Sequence, residues 1–314
     1  MLNLNNKSNF FFDCLPSYEN NYIEVGNGHS LYFEQYGNPK GIPILFLHGG
    51  PGAGFSNSHK SFFDSKVFRV IFFDQRGSGK SIPYAETNNN NTQLLISDIE
   101  SLRKCLKIDE WYLFGGSWGS TLALLYGIDY PNRCLGFILR GIFLGSKTEI
   151  NWFLNDIKKF FPEAHDKFIS IVPQNHRNNI LEWFYAQLHS KNRSQILQAA
   201  SVWAEYENSC SSLNYLSRPI SGEQALAISK IETHYFMNNC FIDDDYIIQN
   251  IDKISNIKSV IVQGRHDVIC PPFTALRLAN YWDKAKIEIV DDAGHSGFET
   301  NVSKKLINAL QMIK

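Results

Sequence analysis

Phe114-Gly115-Gly116-Ser117-Trp118-Gly119-Ser120 decides the fold, because it sets Gly-x-Ser-x-Gly directly behind an apolar strand and directly ahead of a helical stretch. A serine on such a turn stands where strand gives way to helix, its hydroxyl lifted above the sheet at a helix N-terminus. Glycines two positions to either side let the two backbones approach closely. Taken alone, the pattern also suits an ordinary Gly/Ser-rich turn. The strand and helix on its flanks favour a nucleophile elbow, with Ser117 as the nucleophile.

Outward from this turn, short continuous apolar runs recur at Pro43 to Leu47, Val67 to Phe73, Trp111 to Phe114 and Leu135 to Leu139. Such runs predict strands buried on both faces, as in a parallel sheet covered by helices. Leu94 to Leu106 and Ser120 to Tyr130 carry helical spacing between them. Ahead of these, Tyr22 to Val25, the turn Gly26-Asn27-Gly28 and Ser30 to Tyr36 together resemble a hairpin. The stretch Lys147 to Asp245 is rich in Trp, Phe, Asn and Gln at helical spacing and contains no convincing strand. Strand patterns resume at Ser259 to Gln263 and Ile287 to Val290, and a helix from Val302 to Ile313 follows. The expected architecture is an α/β fold with a mostly parallel central sheet flanked by helices. Residues 1–145 and 246–314 form its core, and residues 146–245 form an inserted helical cap. The low-complexity patch Asn88 to Asn91 reads as a solvated loop.

The 314 residues are 44% hydrophobic, enough to bury a large core in one domain or two unequal units. Thirty basic residues against thirty-one acidic ones leave almost no net charge, which argues against nucleic acid or a membrane surface as partner. Met1 to Asn9 is polar and Asn-rich, Phe10-Phe11-Phe12 is stopped by Asp13, and no apolar run approaches the roughly 18 residues of a membrane span, so a cytoplasmic protein is expected. Cys14, Cys105, Cys134, Cys210, Cys240 and Cys270 are scattered without close pairs. They read as buried thiols rather than as metal ligands, a redox dithiol or a disulfide framework.

A serine hydroxyl is a poor nucleophile until a base takes its proton, so a histidine and an orienting acid should follow in the order Ser, Asp, His. Asp267, in Gly264-Arg265-His266-Asp267, and His295, in Asp292-Ala293-Gly294-His295-Ser296, each come just after a predicted parallel strand. An open α/β sheet builds its site at those carboxyl ends. His266 competes for the role of base, and Asp291 or Asp292 for that of orienting acid; two separate loops are the commoner geometry. Acyl transfer also needs donors for the oxyanion. The backbone N–H of Trp118 is one candidate, and Gly49 or Gly50 of His48-Gly49-Gly50-Pro51-Gly52 supplies the other. His48 itself reads as a residue that shapes the loop.

These motifs, with Asp74-Gln75-Arg76-Gly77, Leu139-Arg140-Gly141-Ile142-Phe143 and Cys270-Pro271-Pro272, resemble the proline iminopeptidase (prolyl aminopeptidase) family of α/β-hydrolases. The resemblance runs from about Tyr22 to the C-terminus and is weakest in the cap. It implies a serine aminopeptidase that removes an N-terminal proline from peptides through an acyl-enzyme, with no metal or organic cofactor. It further implies cap carboxylates that bind the substrate's free amine. Glu232, in Ile231-Glu232-Thr233-His234-Tyr235-Phe236, carries over well. Glu207 carries over with Tyr206 in place of the family's second tryptophan, and Phe143 corresponds to an apolar wall for the pyrrolidine ring. Two departures stand out: Ser78 replaces the usual cysteine, and Leu154-Asn155-Asp156-Ile157-Lys158 replaces a Tyr and small-residue run expected to border the pocket. The alternatives are a hydrolase of other specificity on the same scaffold (an aminopeptidase for other residues, an amidase or an esterase) and a catalytically silent binding protein. The presence of all three triad residues disfavours the last.

Overall fold

The structure, a computed structural model, describes residues 10–214 and 219–314. The Asn-rich stretch 1–9 that entered the expected location lies outside them. Strand β1 (Glu19–Gly26) turns back into β2 (His29–Gly37) with Tyr22 opposite Tyr32. The turn places Gly26, Asn27 and Gly28 at φ +80°, +55° and +76°, a left-handed run that Gly and Asn adopt with little strain. The remaining strands are β3 (Ile42–Leu47), β4 (Phe68–Phe73), β5 (Trp111–Ser117), β6 (Cys134–Ile142), β7 (Ser259–Gly264) and β8 (Ala285–Val290). They complete one eight-stranded sheet in the order β1-β2-β4-β3-β5-β6-β7-β8, parallel from β4 to β8. The expected α/β-hydrolase architecture is therefore present.

Alternation along the strands builds two cores. Ile44, Phe46, Val70, Phe72 and Phe114 pack on one face against Val302, Leu306 and Leu310 of helix α10 (Thr300–Gln311). On the other face Leu45, Leu47, Ile71, Phe73 and Leu113 meet α1 (Thr92–Cys105), α2 (Trp118–Asp129) and α9 (Pro272–Asn280). Each such side chain contributes about 1.5–3 kcal/mol of hydrophobic stabilisation. Helix α9 has no counterpart in the sequence reading. Only Thr274, Ala275 and Leu278 of it are buried while Phe273 and Leu276 are exposed, which blurs its periodicity. Its clearest local signal is Pro272 at the first helical position.

Two expectations need correction. Asn88 and Asn89 are solvated, but Asn90 is buried, its amide donating to Arg76 O (3.0 Å) and Glu86 O (2.9 Å) while its carbonyl accepts from Tyr235 Oη (2.9 Å). Asn91 Oδ1 then caps α1 by accepting from Leu94 N at 2.9 Å. The Asn run is thus a polar clamp because its amides satisfy buried backbone groups. Of the six cysteines, Cys134, Cys210, Cys240 and Cys270 are buried, but Cys14 and Cys105 are exposed, since one precedes β1 and the other ends α1 at the surface. Nearby, the fully buried Arg76 guanidinium pairs with Asp98 of α1 through bonds of 2.6 and 2.8 Å.

Between β6 and β7 the described residues form helices: α3 (Lys147–Asn151), a π-helical turn (Trp152–Asp156), α4 (Pro162–Ile169), α5 (Ile180–Leu188), α6 (Arg193–Cys210), α7 (Gly222–Met237) and α8 (Tyr246–Gln249). Their interior is aromatic. Phe168 stacks on Phe184 at 4.7 Å and on Tyr206 at 4.2 Å between ring centres, with Trp203 edge-on to both phenylalanines. Tyr206 keeps its hydroxyl paired by donating to Phe153 O at 2.8 Å, so a tyrosine fits where the resemblance led one to expect a tryptophan. Among the described residues no helix is long and apolar enough to cross a membrane.

Candidate active site

The β5–α2 turn holds Ser117 at φ +57° and ψ −129°, a conformation that costs a non-glycine residue about 1–3 kcal/mol. What imposes it is close packing. A Cβ on Gly119 would stand 2.1 Å from Leu47 O, and one on Gly115 would stand 2.3 Å from Gly119 O, so any side chain there would drive α2 off the sheet. Ser117 lies at the foot of two adjoining recesses. The larger, about 370 Å³, is also lined by Gly49, Gly50, Arg140, Glu207 and His295. The smaller, about 20 Å³, is lined by Phe143, Phe153, Glu207, Glu232 and Cys270. A groove of about 380 Å³ beside α1 and Asn238–Tyr246 is as large but lies away from all of these groups.

Asp267 and His295 come together from the β7 and β8 loops. The Nδ1–H of His295 meets Asp267 Oδ2 at 2.8 Å, while that carboxylate also accepts from Cys270 N (2.8 Å) and Gln263 Nε2 (3.2 Å). Asp267 is an acceptor, so it fixes the imidazole proton on Nδ1 and leaves Nε2 as a lone pair. Burial lowers the His295 pKa below its ordinary value and keeps the ring neutral and basic at neutral pH, against the opposing pull of Asp267. His266, Asp291 and Asp292 are left at the surface, where Asp291 pairs with Arg265 at 2.8 Å and Asp292 accepts from Asn301 at 2.6 Å.

Ser117 and His295 share the larger recess, but no hydrogen bond joins them among the described residues. The Nε2 of His295 instead receives Arg140 Nη1 at 3.0 Å, and the same nitrogen donates to His295 O at 2.7 Å. The Ser117 hydroxyl lies beside the Cys270 thiol, whose pKa burial pushes well up.

The loop after β3 runs past the serine: a Cβ on Gly49 would stand 3.4 Å from Ser117 Cβ. His48 shapes this loop. Its Nε2 accepts from Gln75 N (3.0 Å) and its Nδ1 donates to Gly49 O (2.9 Å), while Gln75 bridges to His48 O and to Trp118 Nε1, both at 2.9 Å. Burial lowers the His48 pKa to about 4, so it stays neutral in this framework.

On the helical side, α6 and α7 bring Glu207 and Glu232 to the smaller recess. Glu232 is 3% exposed and accepts from Trp203 Nε1 at 2.6 Å, yet burial, reinforced by the neighbouring Glu207, raises its pKa well above the usual carboxylate range. Burial likewise pushes Glu207 up to about 7. Two carboxyls in a dehydrated space resist simultaneous ionisation, and a cation between them would reverse this. Phe143, Phe153 and Phe236 supply apolar walls. Of the divergent segment, Leu154 and Asn155 line a separate surface cleft, and it is the preceding Phe153 that reaches the recess.

Two residues of the site carry no role in the sequence reading. Glu149, whose carboxylate accepts from Leu144 N and from the backbone and hydroxyl of Ser146, lines the smaller recess; its Ser-x-x-Glu capping box was the available signal. Arg140 enters that reading only as part of a matching motif, and its contact with His295 spans 155 residues. Among the described residues no cluster of His, Cys, Asp or Glu is placed to hold a metal ion.

Residues 42–302 match the model of the alpha/beta hydrolase fold family. A probable proline iminopeptidase from Leptolyngbya boryana is 43% identical over 95% of each chain, and a proline iminopeptidase from Arabidopsis thaliana is 41% identical over 98% of this chain and 83% of its own. An esterase from Exiguobacterium antarcticum superposes with a TM-score of 0.61 over 94% of this chain and 99% of its own, at 19% identity that speaks to the fold alone. With an eight-stranded hydrolase sheet, a serine on a strained strand-to-helix turn and this level of identity along nearly its whole length, the chain belongs to the proline iminopeptidase family of alpha/beta hydrolases.

Proposed function

We propose that this chain is a serine aminopeptidase that hydrolyses an N-terminal proline from peptides. The observation that carries the reading is the common opening, at Ser117, of a recess lined by His295, itself paired with Asp267, and a recess lined by the carboxyls of Glu207 and Glu232. The helices of residues 146–245 act as the cap that supplies the second recess.

In this reading the smaller recess, about 20 Å³ as it stands, widens as the proline ring enters between Phe143, Phe153 and Phe236, and the ring's ammonium is held by Glu207 and Glu232. Burying the pair against that cation recovers the desolvation that raises their pKa values. Ser117 Oγ attacks the prolyl carbonyl carbon as His295 Nε2 takes its proton. The resulting oxyanion is held by the backbone N–H of Trp118 and of Gly49 or Gly50. Removing one such donor in a comparable site costs about 100- to 1000-fold in kcat. Asp267 stabilises the imidazolium, which passes its proton to the departing amine as the C–N bond breaks. Water, deprotonated by His295, then cleaves the Ser117 ester and releases proline.

The test is a panel of Pro-, Ala- and N-acetyl-Pro-arylamides with a fluorophosphonate probe. Cleavage of Pro-arylamide, none of the acetylated substrate, and labelling lost in Ser117→Ala are expected. Equal turnover of free and acetylated proline would make the chain an amidase or esterase of other specificity.

A further inference from the structure

The larger recess contains a charge that the reaction as described does not use. Arg140 points from β6 into this recess, and no carboxylate lies within 4.0 Å of its guanidinium among the described residues. The acids that act on it electrostatically, Asp267 and Glu299, are committed elsewhere. Asp267 serves His295 and Cys270 N, and Glu299 accepts from Gly294 N (2.6 Å) and Leu213 N (2.8 Å). Among the described residues only Nη1 makes hydrogen bonds, both to His295. Room for the planar group comes from Gly116, where a Cβ would stand 2.5 Å from Nη2. A partly enclosed guanidinium with open donors, facing a cavity, is suited to a bidentate anion.

Its position selects which anion. His295 Nε2 must come within about 3 Å of the departing amine to protonate it, and Arg140 Nη1 is 3.0 Å from that nitrogen. Within one residue the N–Cα and Cα–C bonds of about 1.46 and 1.52 Å keep a carboxylate oxygen within roughly 3.6 Å of the amine. An anion next to the leaving nitrogen is therefore the C-terminal carboxylate of the very next residue. We propose that Arg140 is a leaving-group subsite for a free carboxylate, making dipeptides that begin with proline the favoured substrates. The inference rests on the aminopeptidase reading above. It also accounts for the contact seen here: the guanidinium occupies the lone pair that has to take the Ser117 proton, and a carboxylate that draws Arg140 away frees the base.

The experiment compares kcat and KM for Pro-Gly, Pro-Gly-NH₂ and Pro-Gly-Gly in the wild type, Arg140→Gln and Arg140→Lys. A lost charge-assisted contact is worth about tenfold or more, so wild-type kcat/KM for Pro-Gly should exceed that for the amide and the tripeptide by about that factor. The ratio should collapse towards one in Arg140→Gln and recover in part in Arg140→Lys. Similar wild-type values for Pro-Gly and Pro-Gly-NH₂ would overturn the subsite without any variant having to fold, and so would an equal loss on both substrates in Arg140→Gln. Absence of turnover on all three in the wild type would overturn the aminopeptidase reading with it.

Discussion

The carboxylate of Asp267 and the imidazole of His295 meet at 2.8 Å between Oδ2 and Nδ1, across 28 residues and two loops. Because the acid can only accept, it dictates which imidazole nitrogen carries the proton. Asp267→Asn places an amide that can donate to Nδ1 and stabilise the wrong tautomer. The expected result is a fall in kcat on Pro-arylamide of about 10⁴-fold with little change in KM. A loss smaller than tenfold would show that Asp267 does not orient the base.

The acid limb of activity should report Glu207. Burial raises its pKa to about 7, so below that pH it is protonated and attracts the substrate ammonium weakly, while above it the charge is present. The kcat/KM of the wild type on Pro-arylamide should therefore climb as pH rises through about 7. In Glu207→Gln this limb should move away from pH 7, because Glu232, still raised by burial but relieved of its neighbour's charge, becomes the remaining carboxyl that titrates. KM at pH 8 should rise about tenfold or more with loss of one charged contact. An unchanged limb near pH 7 in the variant would remove Glu207 from amine binding.

The elbow should be intolerant of a single methyl group. Gly119→Ala puts a Cβ against the backbone carbonyl of Leu47, a contact that no rotamer change relieves. Destabilisation of about 3 kcal/mol or more is expected, from overpacking between helix and sheet. Urea unfolding of the variant would measure it, and a midpoint equal to that of the wild type would contradict the close packing.

Outside the lining of both recesses, Asp98 neutralises the fully buried guanidinium of Arg76. Asp98→Ala leaves that charge uncompensated, which typically costs about 3–5 kcal/mol. A lowered denaturation midpoint is expected, together with an unaltered KM for Pro-arylamide in the variant that remains folded. A change below about 1 kcal/mol would mean that solvent reaches Arg76 and takes over from the carboxylate.

Much of the backbone was legible in the sequence because its signals are local. The hairpin at Gly26–Gly28, the doubly buried runs of β3 to β6 and the glycine-flanked Ser117 each declare themselves within a dozen residues, through side-chain period or turn chemistry. Helix α9 escaped for the same reason, since its buried face is too narrow to set a period.

Which histidine and which acid stand together was open in the chain: that Asp267 meets His295, while His266, Asp291 and Asp292 stay at the surface, came only from how the β7 and β8 loops face one another. The helical glutamates Glu207 and Glu232 look like any solvated carboxylates until α6 packs on α7 and dehydrates them, which is why only a family resemblance singled them out. Arg140 and its contact with His295 depend on strand register across 155 positions. Residue order alone thus determined the scaffold and the strand-to-helix turn that carries Ser117, because period and turn geometry act over a few bonds. The pairing of Asp267 with His295 and the electrostatics around it were decided by tertiary packing, because distance and dielectric in a folded chain depend on what lies alongside in space.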